Sequence, residues 1–128
     1  MTTLPESVHP LLDGPEFATL ATIEPGGRPQ LSVVWFRRDG DQLLFSTVRG
    51  RRKALNLERD PRATVLVYAA GNPYHYVELR GGVSVEDDPR AELIDELSRS
   101  YRGAPWKGDA PGSERVIVRL TPTKVVVH

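Results

Sequence analysis

Residues 45–61 read FSTVRGRRKALNLERDP. The run starts as the apolar end of a strand at Phe45, passes two hydroxyl residues, Ser46 and Thr47, and then carries Arg49, Arg51, Arg52 and Lys53 within five positions. After Gly50 the period of two gives way to helical spacing. Ala54, Leu55 and Leu57, interleaved with Lys53, Asn56, Glu58 and Arg59, suit a two-turn helix that Asp60-Pro61 terminates. A strand that delivers hydroxyls and positive charge to a helix start can hold phosphate, because cations and free amide N–H groups converge there. A solvated basic turn that binds nothing has the same composition. The chain on either side decides between the two.

Upstream, Pro5 to Pro15 places Val8, Leu11 and Leu12 at roughly helical spacing and stops at Asp13-Gly14-Pro15, a short N-terminal helix. Phe17–Ile23 alternates bulky with small or hydroxyl residues, Glu24–Gly27 makes a turn, and Pro29–Phe36 resumes the strand pattern. The segment closes at Arg38–Asp41 and hands over to Gln42–Val48. These three strands are expected to pair as an antiparallel meander.

Downstream, Arg62–Tyr68 is strongly apolar, as in a strand covered on both faces or set in a barrel wall. A turn at Ala69–Pro73 leads into Tyr74–Arg80, then Gly81-Gly82 and Val83–Val85, where the glycine pair marks a bulge or a barrel corner. Glu86, Asp87, Asp88 and Pro89 precede a helix over Arg90–Tyr101 with an apolar stripe of Ala91, Ile94, Leu97 and Tyr101. A Gly- and Pro-rich loop, Gly103–Gly112, carries Trp106 and Lys107. Glu114–Leu120 forms the last long strand, Thr121-Pro122 breaks it, and Lys124–His128 adds a short one. The pattern is mainly β: a six- to seven-stranded antiparallel barrel with a few peripheral helices, closed so that no long edge is exposed.

The 128 residues fit one domain, 1–128. Seventeen basic and 17 acidic residues cancel, so no global field draws in nucleic acid or an anionic membrane, and any anion site is local. With no cysteine, thiol catalysis, disulfides and thiolate metal sites are excluded. The N-terminus lacks a signal-peptide pattern and no apolar run reaches a membrane-spanning length, so a cytoplasmic protein is expected. His9, His75 and His128 are too scattered for a metal site, and neither GxGxxG nor GxxxxGK[ST] occurs. Glu86, Asp87 and Asp88 read as helix-capping carboxylates rather than an acid/base pair. A basic cluster remains, together with Trp35, Tyr68, Tyr74, Tyr76 and Trp106, which fits a planar anionic cofactor that brings its own chemistry.

The run FATLATIEPGGRPQLSVVWFRRDGDQLLFSTVRGRRKALNLERDPRATVLV resembles the split β-barrel flavin and deazaflavin oxidoreductases, the superfamily that includes pyridoxamine 5′-phosphate oxidase. Within it the chain is most similar to the actinobacterial group that uses coenzyme F420. The likeness covers roughly residues 11 to 127 and is most specific in LATI…GRPQLS and RRKxLNLxRDP.

The resemblance implies a homodimer with the cofactor in a groove at the subunit interface. Arg51, Arg52 and Lys53 would grip the phosphate and Ser46 and Thr47 would add hydrogen bonds. Gln30 to Val34, including Ser32, would flank the ring or its side chain, and Tyr74 matches an aromatic position that reaches the cofactor from the partner subunit. Arg49 lies outside the matching core and reads as solvated. No catalytic acid or base is assigned, although Tyr74, Tyr76 and Lys107 are candidates near the ring. The chain lacks counterparts of the oxidase branch's C-terminal substrate-phosphate residues, so pyridoxamine phosphate oxidation is not expected, and Val33-Val34-Trp35 stands where that branch has the basic residue that opens its flavin-phosphate motif, which weighs against FMN. The implied activity is F420-dependent hydride transfer with an unsaturated small molecule. The alternatives are an FMN-dependent oxidoreductase of the same fold and a non-catalytic flavin- or deazaflavin-binding protein.

Overall fold

The computed structural model describes residues 2–128. After a 3-10 turn, Glu6–Val8, come α1 (His9–Asp13), β1 (Ala18–Ile23), β2 (Pro29–Val34), β3 (Arg37–Asp39), β4 (Gln42–Val48), α2 (Arg52–Arg59), β5 (Arg62–Ala69), β6 (Asn72–Asp87), α3 (Glu92–Arg102) and β7 (Arg115–Val127). The seven strands form one antiparallel sheet in the order β2-β1-β5-β6-β7-β4-β3. It curls into a split barrel around Leu20, Leu43, Phe45, Val65, Leu79, Val118 and Leu120, all 2% exposed or less.

Pairing departs from the expected meander. β1 and β2 form the hairpin, but β4 pairs with β7 from Leu43↔Leu120 to Val48↔Arg115 and carries the three-residue β3 on its other side. β2 and β4 therefore lie toward opposite ends of the strand order, and the seam of the barrel opens between them. β5 is buried on one face at Ala63, Val65 and Val67 and only partly covered on the other at Thr64 and Leu66, so its apolar run is that of a barrel wall.

Thr121-Pro122 does not end a strand. β7 runs through it with a bulge at Thr123, which has no ladder partner between the pairs Arg80↔Lys124 and Gly81↔Pro122. Gly81 makes the bend possible: a Cβ there would sit 2.0 Å from the Thr121 carbonyl oxygen. The expected corner at the glycine pair is present, inside one continuous 16-residue strand.

α3 packs Leu93 and Leu97 over Leu44 of β4, with Trp35, Tyr101 and Ile117 at the margin, a second small core outside the barrel. Its start is held by Asp88, which accepts hydrogen bonds from the amides of Glu92 (3.1 Å) and Leu93 (3.0 Å). The helix begins two residues later than the sequence suggests because Ala91 takes a left-handed conformation, φ 54°, before the first turn. Asp88→Ala leaves two amides of the first turn uncapped, the Leu93 one buried, and a loss of about 1–2 kcal/mol in urea unfolding is the expected result.

Arg49 is not free in solvent. Its guanidinium meets Asp87 at 2.5 Å, Glu58 at 2.9 Å and Glu114 at 3.4 Å, which ties the β4–α2 turn to α2, to the end of β6 and to the segment before β7.

Candidate functional site

The seam holds a groove of about 360 Å³ lined by Val34 and Trp35 at the end of β2, Ser46 of β4, Arg51 and Lys53 at the start of α2, and Trp106 and Arg115 beyond α3. Its position follows from the strand order. β3 pairs only with the first residues of β4, so from Phe45 onward that side of β4 is unpaired and α2 leaves from beside it.

Polarity divides the groove. At one end Trp35 stacks on Tyr101, 5.4 Å between centroids and 13° from parallel, and meets Trp106 edge-on at 6.1 Å. Tyr101 is fixed by donating to the Glu16 carbonyl at 2.6 Å and accepting from the Phe36 amide. Phe17, Ile94 and Leu97 complete that apolar wall. At the other end Arg51, Lys53 and Arg115 line the groove with no carboxylate among the lining residues. Burial, and then the charges of Arg51 and Arg115, hold the half-buried Lys53 ammonium below the usual lysine range. No carboxylate among the described residues is within ion-pair distance of it. A half-buried cation beside other cations is costly unless an anion joins it.

Arg115 is 5% exposed and sits over the Trp106 ring, 5.1 Å from its centroid. Asp109 takes two of its nitrogens in a forked pair, and the remaining Nη1 reaches Ser46 Oγ at 3.4 Å.

The residues expected to bind a cofactor divide. Val34, Ser46, Arg51 and Lys53 come together in the groove. Thr47 is on the opposite face of β4, where its hydroxyl is buried without a partner, because successive residues of a strand point to opposite sides. Ser32 shares the inward face of β2 with Val34, and its hydroxyl is likewise buried and unpartnered. Gln30 on that face is engaged elsewhere: Asn56 donates to Thr22 Oγ1, which donates to Gln30 Oε1, locking α2 to β1 and β2. Arg52 turns out of the groove toward Glu24, 3.6 Å away. Tyr74, at the β5–β6 turn, is 80% exposed.

Neither of the other candidate acids lies in the groove. Tyr76 stacks on His128, and Lys107 borders a separate shallow hollow with Arg102 and Pro105. Sequence reasoning missed Arg115 and Asp109, since an arginine opening an apolar strand and an aspartate in a loop have no pattern that joins them. A cleft of about 470 Å³ on the far side of Arg115 is lined by Asp87, Asp88, Asp109 and Glu114. Its carboxylates are committed to Arg49, to the α3 cap and to Arg115.

The fit to a phosphate-bearing planar cofactor is direct. Two cations that form no ion pair among the described residues, Arg51 and Lys53, face a serine hydroxyl and an α2 start that no side chain caps, and two indoles wall the other end.

The family model for pyridoxamine 5′-phosphate oxidase matches residues 4–128. A solved F420 reductase is 34% identical, covers 96% of this chain and 98% of its own, and superposes with a TM-score of 0.87. The pyridoxine/pyridoxamine 5′-phosphate oxidase of Cupriavidus necator is 34% identical over 98 residues, 75% of this chain and 42% of that protein, so the chain spans less than half the length of this curated relative. A pyridoxamine 5′-phosphate oxidase-related, FMN binding protein of Nostoc punctiforme shares the fold at 20% identity, over 85% of this chain and 71% of its own, with a TM-score of 0.62.

Proposed function

The chain belongs to the pyridoxamine 5′-phosphate oxidase family, and from that premise we propose that it is an oxidoreductase that binds coenzyme F420 in the seam groove and exchanges hydride with an unsaturated small molecule. The carrying observation is Lys53, a half-buried cation with no counter-ion, in one groove with Arg51, Ser46 and the indoles of Trp35 and Trp106. The 34% identity to an F420 reductase over nearly both full chains supports the choice of cofactor. When bound, the deazaflavin supplies the hydride-transferring carbon. The protein's part is to hold the phosphate at Arg51 and Lys53, to position the ring against Trp35 and Val34, and to exclude water with Ile94 and Leu97. The Tyr101 hydroxyl behind Trp35 is committed to the Glu16 carbonyl, and solvent supplies the proton.

The protein acts as a homodimer in the cytoplasm, without nucleic-acid or membrane partners. Supporting the dimer, Leu31, Val33, Phe17 and Tyr68 are 62%, 69%, 57% and 45% exposed, and Phe17 and Val33 also line the groove. Such an apolar face beside a ligand site suits a second subunit. No helix among the described residues is long and apolar enough to cross a membrane. FMN is the second reading, favoured by one observation: two unpaired cations also suit the dianionic phosphate of a flavin mononucleotide.

Titrating the protein with F420 and with FMN under identical conditions, followed by turnover of reduced F420 against enones, quinones and bilins, tests the proposal. F420 binding without retained flavin is expected. Flavin retained through purification overturns the cofactor choice, and binding without turnover leaves a carrier in place of an enzyme. The affinity should also fall as pH rises. Lys53 is depressed in the free protein and raised by a bound anion, so binding takes up a proton between the two values. Lys53→Arg, which stays charged, should flatten that profile.

A further inference from the structure

Arg115 is buried and charged, yet only part of its guanidinium is satisfied by the protein. Asp109 binds Nε at 3.0 and 3.2 Å and Nη2 at 2.7 Å, which fixes the plane of the group and leaves Nη1 with one long contact, 3.4 Å to Ser46 Oγ. Resting on the reading of the groove as a phosphate site, we infer that Asp109 sets the phosphate charge the groove accepts: it aims Arg115 Nη1 at the anion beside Ser46 and opposes a second negative charge there.

The carboxylate is held firmly in place. The loop that carries it is pinned to α3 where the Trp106 amide donates to Asp95 Oδ1 and where Ser98 Oγ donates to the Ala104 carbonyl. Gly108 lies against the Trp106 indole so closely that a Cβ would come within 2.7 Å of it. The Trp106 ring in turn carries the Arg115 guanidinium. The hydrogen bonds from Arg115 hold the Asp109 carboxyl below the usual carboxylate range, which favours its ionised form.

Charge counting turns this geometry into selectivity. Arg51, Lys53 and Arg115 bring three positive charges, Asp109 brings one negative, and the difference is +2. A phosphodiester adds one negative charge, whereas a phosphomonoester adds nearly two above its second pKa of about 6. Each unit of ligand charge meets the Asp109 repulsion once. Removing that carboxylate therefore favours the monoester more than the diester.

The test compares wild-type protein with Asp109→Asn, titrated with methyl phosphate and dimethyl phosphate and followed by the fluorescence of Trp35 and Trp106. At about pH 8 the variant should raise the monoester-to-diester affinity ratio by about fivefold. At about pH 5, where both ligands carry one charge, the ratio should match that of wild type. Asp109→Glu should keep the wild-type ratio at both values. An unchanged ratio at the higher pH overturns the inference. So does an equal rise at the lower pH, which would trace the effect to altered shape, and so does the absence of any wild-type response to either phosphate. If Asp109→Asn does not fold, Asp109→Ser reports the same ratio. Small phosphates also separate this inference from the cofactor assignment: wild-type protein that binds methyl phosphate but neither F420 nor FMN refutes the proposed function and leaves the Asp109 comparison decisive.

Discussion

In the Arg51→Ala, Lys53→Ala double variant, F420 should bind about a thousandfold more weakly than to the parent protein, a loss of about 4 kcal/mol. A hydrogen bond from a charged group contributes about 1.5–3 kcal/mol. Lys53 belongs toward the upper part of that range because it is half-buried and has no competing partner. Arg51 is exposed, and solvent screening places it at the lower end. Arg52→Ala is the internal comparison. Its side chain contacts Glu24 outside the groove, so its removal should change affinity by less than about threefold. Isothermal titration of the three proteins decides the matter, with unfolding curves showing that none has lost its fold. Parental affinity in the double variant would remove the phosphate from this end of the groove.

The second large effect is on stability. Gly81→Ala should destabilise the protein by about 3 kcal/mol or more and lower the unfolding midpoint by about 10 °C or more. The new methyl group would meet backbone, the Thr121 carbonyl oxygen at 2.0 Å and the Pro122 Cα at 2.9 Å, and backbone in a paired strand cannot step aside as a flexible side chain can. Relief requires β6 and β7 to separate at the bend, breaking the ladder on both sides of the Thr123 bulge. Gly82→Ala is the control. Its nearest neighbour is the Pro61 carbonyl oxygen at 3.8 Å, so the cost there should stay below about 1 kcal/mol. Equal costs at the two glycines would mean that close approach at Gly81 is not what shapes the corner.

Local chemistry was legible in the sequence and long-range pairing was not. The β1–β2 hairpin, the two-turn α2 and the Asp88 cap of α3 each depend on residues within a few positions of one another, and periodicity and turn residues report them. The partner of β4 lies about seventy positions away in β7. No local pattern separates that pairing from a meander with β2. Thr121-Pro122 looked like a terminator because proline lacks an N–H, but at a bulged bend the missing donor is tolerated. Arg49 looked solvated because its three carboxylates come from α2, β6 and the segment before β7. At the candidate site the basic turn was visible, but Ser46 and Thr47 were expected to act together, and strand alternation puts them on opposite faces. The joining of Asp109, Arg115 and Trp106 required the whole barrel.

The open seam has a consequence for how the protein responds to its ligand. The groove draws Trp35 from just past β2 on one side of the opening, Ser46 and Lys53 from the other, and Trp106 and Arg115 from the last quarter of the chain. These pieces meet only after β1, β5, β6 and β7 have assembled between them. No subset of strands can form the site early, so a bound ligand stabilises the native state alone and by the full mass-action term. Saturation should therefore slow hydrogen exchange in the innermost strands, β5 and β6, as much as in the groove itself, because the exchange of both passes through the same global opening.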